Sequence, residues 1–502
     1  RDAATLVVEF GGSLTGEHGD GQARAEFLPI MFGEELMGAM HEFKRIWDPL
    51  NKLNPGKVVH PYRVDENLRM GPEYKVVNIN TRLNFLSQEG NGFQRAVERC
   101  VGMGKCRSEK LGTMCPSYRA TKEERFSTRG RSRLFWEMLQ GEVITDGWES
   151  KELKDALDTC LSCKGCKSDC PAHVDMASYK AEFLSHYHEK NGRPRQALTM
   201  GRIGDWAPLA SKMSWLVNGV MQTPILSTIA KWVGGVAQER SLPKFASQSF
   251  RSQFKKASSD VGQKKVILWV DTFCEHFHPE VANAAVEVLR HAGFEATLPK
   301  TPLCCGRPLY DFGYLDLAKQ KLEKILDAIG SEINQDPSSP IAVVGLEPGC
   351  MSVFKDELLK FFPHDPRAQL LASSTYLLGD FLHEQGYTPP PLDCNILVHS
   401  HCHQKSLFGT KGDVALLAAL GAKTNYIDSG CCGMAGSFGF NPEHVEMSKA
   451  VGELVLLPAI RAADQETIIL TNGFSCREQI EQETGRKVKH LAELLQMAHQ
   501  QK

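Results

Sequence analysis

Asp158 to His173 reads DTCLSCKGCKSDCPAH, with Cys160, Cys163, Cys166 and Cys170 spaced C-x2-C-x2-C-x3-C and followed by Pro171. Thiolates at the first three positions can reach three irons of one cubane from a tight turn, while the fourth points toward a second cluster. The run therefore predicts iron–sulfur ligation inside a small helical module, over a zinc site or buried structural thiols.

Upstream, RCVGMGKCRSEKLGTMCPSY from Arg99 to Tyr118 is a defective relative of that run. Cys100 and Cys106 are spaced as the outer pair of a triplet, but Met103 holds the middle position and Cys115-Pro116 closes the motif after a longer gap. A thioether is a poor ligand for cluster iron. If the halves exchange their last cysteines, one cluster has Cys115, Cys160, Cys163 and Cys166, a full [4Fe-4S] set. The other has only Cys100, Cys106 and Cys170, which suits a [3Fe-4S] cluster or a [4Fe-4S] cluster with one non-cysteine ligand. The whole resembles two-cluster ferredoxin modules, and the C-x5-C departure resembles the three-iron motif of the succinate dehydrogenase iron–sulfur subunit, which favours three irons. A packed Met103 with a single cluster is the competing reading.

The chain has 502 residues, a formal charge of −2 and sixteen cysteines. Its length suggests about three domains. The near-neutral balance gives no reason to expect nucleic acid, and cysteines in such number without a secretory signal point to metal ligation in a reducing, cytoplasmic compartment. Between Arg95 and Arg133, eleven Lys or Arg face four Asp or Glu, a basic stretch that is either a solvated face or a partner to an anionic cluster or acidic protein. No apolar run reaches the roughly 18 residues of a spanning helix. Trp206 to Ala237, interrupted by Lys212, Pro224 and Lys231, reads chiefly as helices on the protein's own core, with a quinone pocket or peripheral contact at the inner face of the cell membrane as the alternative.

At the beginning, LVVEFGGSLTGEHGDGQARAEFLP predicts a strand over Leu6 to Phe10 and a glycine-rich turn over Gly11 to Gly21 carrying Glu17 and His18. An acid beside a histidine can bind a metal or move a proton, although a surface EHG triplet alone is weak. With NPGK at Asn54 to Lys57, the stretch resembles the end of the substrate domain of flavin-linked D-2-hydroxyacid dehydrogenases of the vanillyl-alcohol oxidase type, which act on substrates such as D-lactate and D-2-hydroxyglutarate. That resemblance implies Glu17 as ligand to a divalent metal (zinc or manganese), His18 as the base that takes the hydroxyl proton, and Asn54 with Lys57 near FAD. The flavin-binding half and the remaining metal ligands of such enzymes lie upstream of this motif, so an upstream flavoprotein segment or a second chain is expected to supply them.

From Lys264 onward the chain repeats. Cys274, Cys304-Cys305-Gly306 and Cys350 recur 126 to 128 residues later as Cys402, Cys431-Cys432-Gly433 and Cys476. Apolar strands alternating with helical stretches predict parallel α/β layers with the cysteines at strand ends. A glycine after paired cysteines permits a tight turn that aims both thiolates at one centre. Both copies resemble the CCG domain of the heterodisulfide reductase family, also found in iron–sulfur subunits of glycolate oxidase and anaerobic glycerol-3-phosphate dehydrogenase. That domain ends in C-x2-C, whereas Glu347 and Gly473 stand where its extra cysteine would be. Four thiolates per copy suit an unusual iron–sulfur cluster or zinc, or act as unmetallated redox thiols. His399, His401 and His403 flank Cys402 but read as polar surface or as hydrogen-bonding support rather than ligands, and Cys394 reads as a buried thiol.

The expected architecture is multidomain α+β and α/β: residues 1–60 as the end of a flavin-oxidase substrate domain, 61–94 a linker, 95–200 the two-cluster ferredoxin-like module, 201–262 a helical connector, and 263–385 and 386–502 the duplicated CCG domain. The expected function is FAD-dependent oxidation of a D-2-hydroxyacid to the 2-oxoacid, with electrons relayed through the clusters to a quinone or carrier protein, and homo-oligomer formation left open. The rivals are an electron-transfer subunit serving glycolate or glycerol 3-phosphate oxidation, a heterodisulfide reductase-like thiol/disulfide enzyme, and a zinc-stapled scaffold.

Overall fold

The computed structural model describes residues 1–68, 70–71, 74–85, 92–109, 112–254, 264–333 and 340–501. It divides into two compact units, Arg1–Val77 and Asn78–Lys502.

The first unit is built on the helix Leu28–Trp47, kinked at Gly33, with a small core of Ala25, Leu28 and Met37. Much of its apolar surface faces outward, with Phe43 66% and Trp47 71% exposed. The strand expected over Leu6 to Phe10 is instead the end of a helix, Asp2–Glu9. A short apolar run is ambiguous by periodicity, and a strand needs a neighbour to satisfy its backbone groups. No strand pairs with it among the described residues of this unit, so those groups bond locally.

The second unit opens with residues expected to be linker, yet Leu83 and Phe85 are buried in its core. The cluster module that follows packs Thr128–Gln140 and Met176–Asn191 around Phe93, Phe135, Tyr179 and Phe183. Within ATKEERFSTRGRSRLFWEMLQG, Ala120 to Gly141, the long helix begins only at Thr128. Lys122, at φ 63°, ends the preceding helix, and Ser127 caps the next by accepting from the Gly130 N–H at 2.9 Å. Phe135, Met138 and Leu139 face inward as the 3.6-residue period requires, with Leu134 partly buried.

Three short helices, Ile203–Lys212, Ser214–Gln222 and Pro224–Gly234, form the connector. No helix among the described residues is long and apolar enough to cross a membrane.

The remainder holds two parallel four-stranded sheets. The first uses β1 (Lys264–Trp269), β2 (Phe294–Thr297), β3 (Val343–Gly345) and β4 (Thr375–Leu377) in the order β2-β1-β3-β4. The second uses β5 (Asn395–Val398), β6 (Lys423–Tyr426), β7 (Ile468–Leu470) and β8 (Val488–Lys489) in the order β6-β5-β7-β8. The strand orders correspond, and the registers do too: Ile267 opposes Val343 as Ile396 opposes Ile468. In both sheets the cysteines follow the carboxyl ends of the first three strands, where open parallel sheets place their ligands.

Candidate functional site

In the cluster module, Cys115, Cys160, Cys163 and Cys166 line one cavity together with Lys164 and Arg131. The two half-motifs meet here because Asp169 accepts from the Thr113 and Met114 N–H groups at 2.6 and 3.1 Å. Burial pushes the Cys115 thiol up to about 12, with the nearby Arg131 guanidinium opposing it. Such thiols stay protonated until a metal displaces the proton, so this four-sulfur donor set fits a cubane. Cys100, Cys106 and Cys170 lie apart from that cavity. Burial raises the Cys106 thiol, with nearby Cys100 adding to the effect, and Arg99 donates to the Ala172 carbonyl at 2.9 Å, drawing the Cys170 turn toward them. Met103 is 65% exposed and fills no core position.

The second-sheet cysteines form a chain of thiols: Cys402 beside Cys431, Cys431 beside Cys432, and Cys432 beside Cys476. Hydrogen bonds from Cys431 and Cys476 hold the Cys432 thiol well below its usual range despite burial, with His399 adding to the effect. In the first sheet Cys304, Cys305 and Cys350 form a similar row, while Cys274 turns toward Asp271, and burial and that carboxyl raise it. Gly433, at φ 94°, makes the turn after the pair, and a Cβ there would stand 2.1 Å from the Ser448 carbonyl oxygen.

The three histidines around Cys402 are not surface residues. His399, His401 and His403 are 1%, 6% and 8% exposed, because the strand end runs inward, toward the first sheet's loops, rather than out to solvent. A ring nitrogen of His399 and the sulfurs of Cys432 and Cys476 all lie within 4.8 Å of one another, as do donor atoms of His401, Cys402 and His403. Strand-end alternation was the available signal, but sequence cannot say whether a strand end faces solvent or another copy. Glu347 joins the two sheets: its oxygens accept from Gly349 N–H at 3.0 Å and Phe474 N–H at 2.6 Å. Burial, helped by Asp271, pushes its carboxyl up to about 8. Cys394 is only half-buried, against the core that both sheets share.

Cys163 of the cluster module shares a buried cluster with Cys402 and Cys431. The cluster cavity and the second-sheet thiols are therefore adjacent. Beside them opens a cavity of about 420 Å³, with Ile203, Val217, Met221 and Ala230 of the connector on one side and Cys350, His401, Cys402 and Cys432 on the other. Its size suits a small organic molecule. The connector packs closely here: a Cβ on Gly204 would stand 2.5 Å from Cys304 Sγ.

In the first unit Glu17 and His18 sit on an open turn, 3.9 Å apart and 90% and 87% exposed. They offer two donors to a metal. Asn54 adopts φ 50° and Lys57 donates to Gln22 at 2.8 Å; this open turn does not by itself hold a flavin.

Residues 1–58 match the family described as FAD linked oxidases, C-terminal domain; 96–174 match the 4Fe-4S dicluster domain; and 270–355 match the cysteine-rich CCG domain. The chain is 27% identical to D-2-hydroxyglutarate dehydrogenase of Pseudomonas putida and 25% identical to that of Escherichia coli, each alignment covering 98% of this chain and 52% of the relative. One component of the anaerobic glycerol-3-phosphate dehydrogenase of Escherichia coli is 27% identical over 52% of this chain and 67% of its own length. The chain thus spans about half the length of the D-2-hydroxyglutarate dehydrogenases it matches.

Proposed function

We propose that this chain is the cluster-bearing part of an FAD- and iron–sulfur-dependent D-2-hydroxyacid dehydrogenase, with D-2-hydroxyglutarate the first substrate to test. The observation that carries the reading is an alignment running from the EHG turn through both sets of cysteines, over 98% of the chain. The glycerol-3-phosphate dehydrogenase component covers about half as much, which disfavours a purely electron-transferring role.

In this reading His18 takes the substrate hydroxyl proton, and Glu17 is one ligand of a divalent metal, zinc or manganese, that stabilises the alkoxide. FAD, when bound by the flavoprotein segment, supplies the hydride acceptor. Asn54 and Lys57 contribute to its surroundings. Cys115, Cys160, Cys163 and Cys166 hold a [4Fe-4S] cluster, and Cys100, Cys106 and Cys170 hold a [3Fe-4S] cluster. The halves from 263 and 386 are copies of one CCG unit, with Cys274, Cys304, Cys305 and Cys350 in the first and Cys402, Cys431, Cys432 and Cys476 in the second.

The apolar cavity beside Cys402 and Cys432 supports a quinone as electron acceptor. Trp215 and Trp232, 76% and 63% exposed on the connector, with Lys212 and Lys231 nearby, support peripheral seating on the inner membrane face.

The test is an anaerobic titration of the complete protein with D-2-hydroxyglutarate and its L-enantiomer. Flavin and cluster absorbance should bleach together with the D-acid alone. Clusters that respond to dithionite but to no hydroxyacid would overturn the reading.

A further inference from the structure

The two copies keep the same strand order and cysteine positions but differ in what surrounds them. Three residues before Cys274 stands Asp271, and three before Cys402 stands His399. Where a C-x2-C ending would need a cysteine, the first copy has Glu347 and the second has Gly473.

His399 follows β5 and is buried. Its Nδ1 lies 2.6 Å from Ser429 Oγ, itself buried, which fixes the ring; with Nδ1 donating to the serine, Nε2 is an open acceptor. Its Nε2 has no hydrogen-bond partner among the described residues. An imidazole held by one nitrogen, with the other bare and buried beside two thiols, is the arrangement of a metal-ligating histidine and its supporting hydrogen bond. With no metal, the ring's other neighbour is the Cys432 thiol, a weak partner that leaves a buried nitrogen poorly satisfied. At Gly473 a Cβ would stand 2.3 Å from His401 Cδ2, so the neighbouring ring of His401 keeps a cysteine out of that position and the second copy needs its further donor from elsewhere.

We propose that His399 ligates the metal centre of the second copy through Nε2, beside Cys432 and Cys476, making it a mixed imidazole–thiolate site that the first copy does not share. Its donors suit zinc or the iron of a cluster. The inference rests on the second copy holding a metal and is independent of which hydroxyacid is oxidised.

The experiment uses the complete protein labelled with 15N-histidine. Metal analysis decides the readout: pulsed EPR for a paramagnetic iron centre, or X-ray absorption for zinc, where a nitrogen shell at about 2.0 Å is expected. Wild-type protein should show one directly bound imidazole. His399→Ala should lose that signal and about one centre's worth of metal. His399→Cys should keep the metal with an all-sulfur shell, which guards against a simple folding failure, and Asp271→Ala should leave the nitrogen signal intact. A sulfur-only second-copy centre in wild type, a nitrogen signal that His399→Ala leaves undiminished, or no metal beyond the cluster module and the Glu17 site would each overturn the proposal. Since no substrate is added, failure here is distinct from an inert D-acid titration.

Discussion

Nη2 of Arg307 lies 2.9 Å from Nε2 of His403. The same guanidinium donates to the Ser162 carbonyl at 3.2 Å and pairs with Glu357, so one side chain ties the cluster loop to both sheets. Burial, with Arg307 adding to it, holds His403 well below the usual imidazole range, leaving a neutral ring free to accept. Arg307→Met should remove about 3–5 kcal/mol of stability, the cost of leaving a buried charge with a partner missing. Chemical unfolding followed by cluster absorbance checks this, and an unchanged midpoint would count against the bridge.

Lys164 is fully buried among Asp175, Asp356 and Glu357, at 3.3, 2.7 and 3.2 Å. Burial alone would raise Asp356, but Lys164 and Lys167 outweigh it and hold the carboxyl at about 2; Asp175 is likewise held well below its usual value. A depressed carboxyl adds stability that is complete above its unfolded value, near 3.9, and lost as pH falls through its folded one. The wild-type unfolding midpoint should therefore fall between about pH 4 and pH 2. Lys164→Met should be less stable at pH 7 and flatter across that window.

In the complete protein His18→Asn should lower D-acid oxidation by about 10²–10⁴-fold, the usual contribution of a positioned acid–base group, and Glu17→Gln should lower it by weakening the metal site. Cluster spectra after dithionite should be unaltered. Full activity in both variants would move the chemistry elsewhere.

Ala230→Trp should fill the connector cavity and depress reduction of a short-chain quinone severalfold, while the D-acid still bleaches the clusters. Trp215→Ser combined with Trp232→Ser should weaken flotation with anionic vesicles. Quinone turnover indifferent to the filled cavity would place the acceptor at another surface.

Spacing carried much of this architecture because metal ligation constrains spacing. The run from Cys160 to Cys170 marks the stretch that matches a 4Fe-4S dicluster domain, and the strands alternating with helices after Lys264 form parallel sheets. What escaped depended on neighbours. Leu6 to Phe10 became helical for want of a paired strand. His403 looked like surface because Arg307, which packs against it, comes 96 residues earlier. Lys122, whose left-handed backbone ends a helix, carries no local mark of that role.

The two glycines after the cysteine pairs set unequal limits on how the halves can vary. At Gly306 a Cβ would meet Ala318 at an ordinary 3.7 Å, so a replacement there meets only the strain of φ 81°. At Gly433 the obstacle is helix backbone 2.1 Å away. A flexible ring, that of His401, is what crowds Gly473, whereas fixed backbone is what crowds Gly433, so the side chains of the second half have more room to change than the bend that presents them. Drift in such a pair of halves is channelled into what the loops hold and away from how they turn.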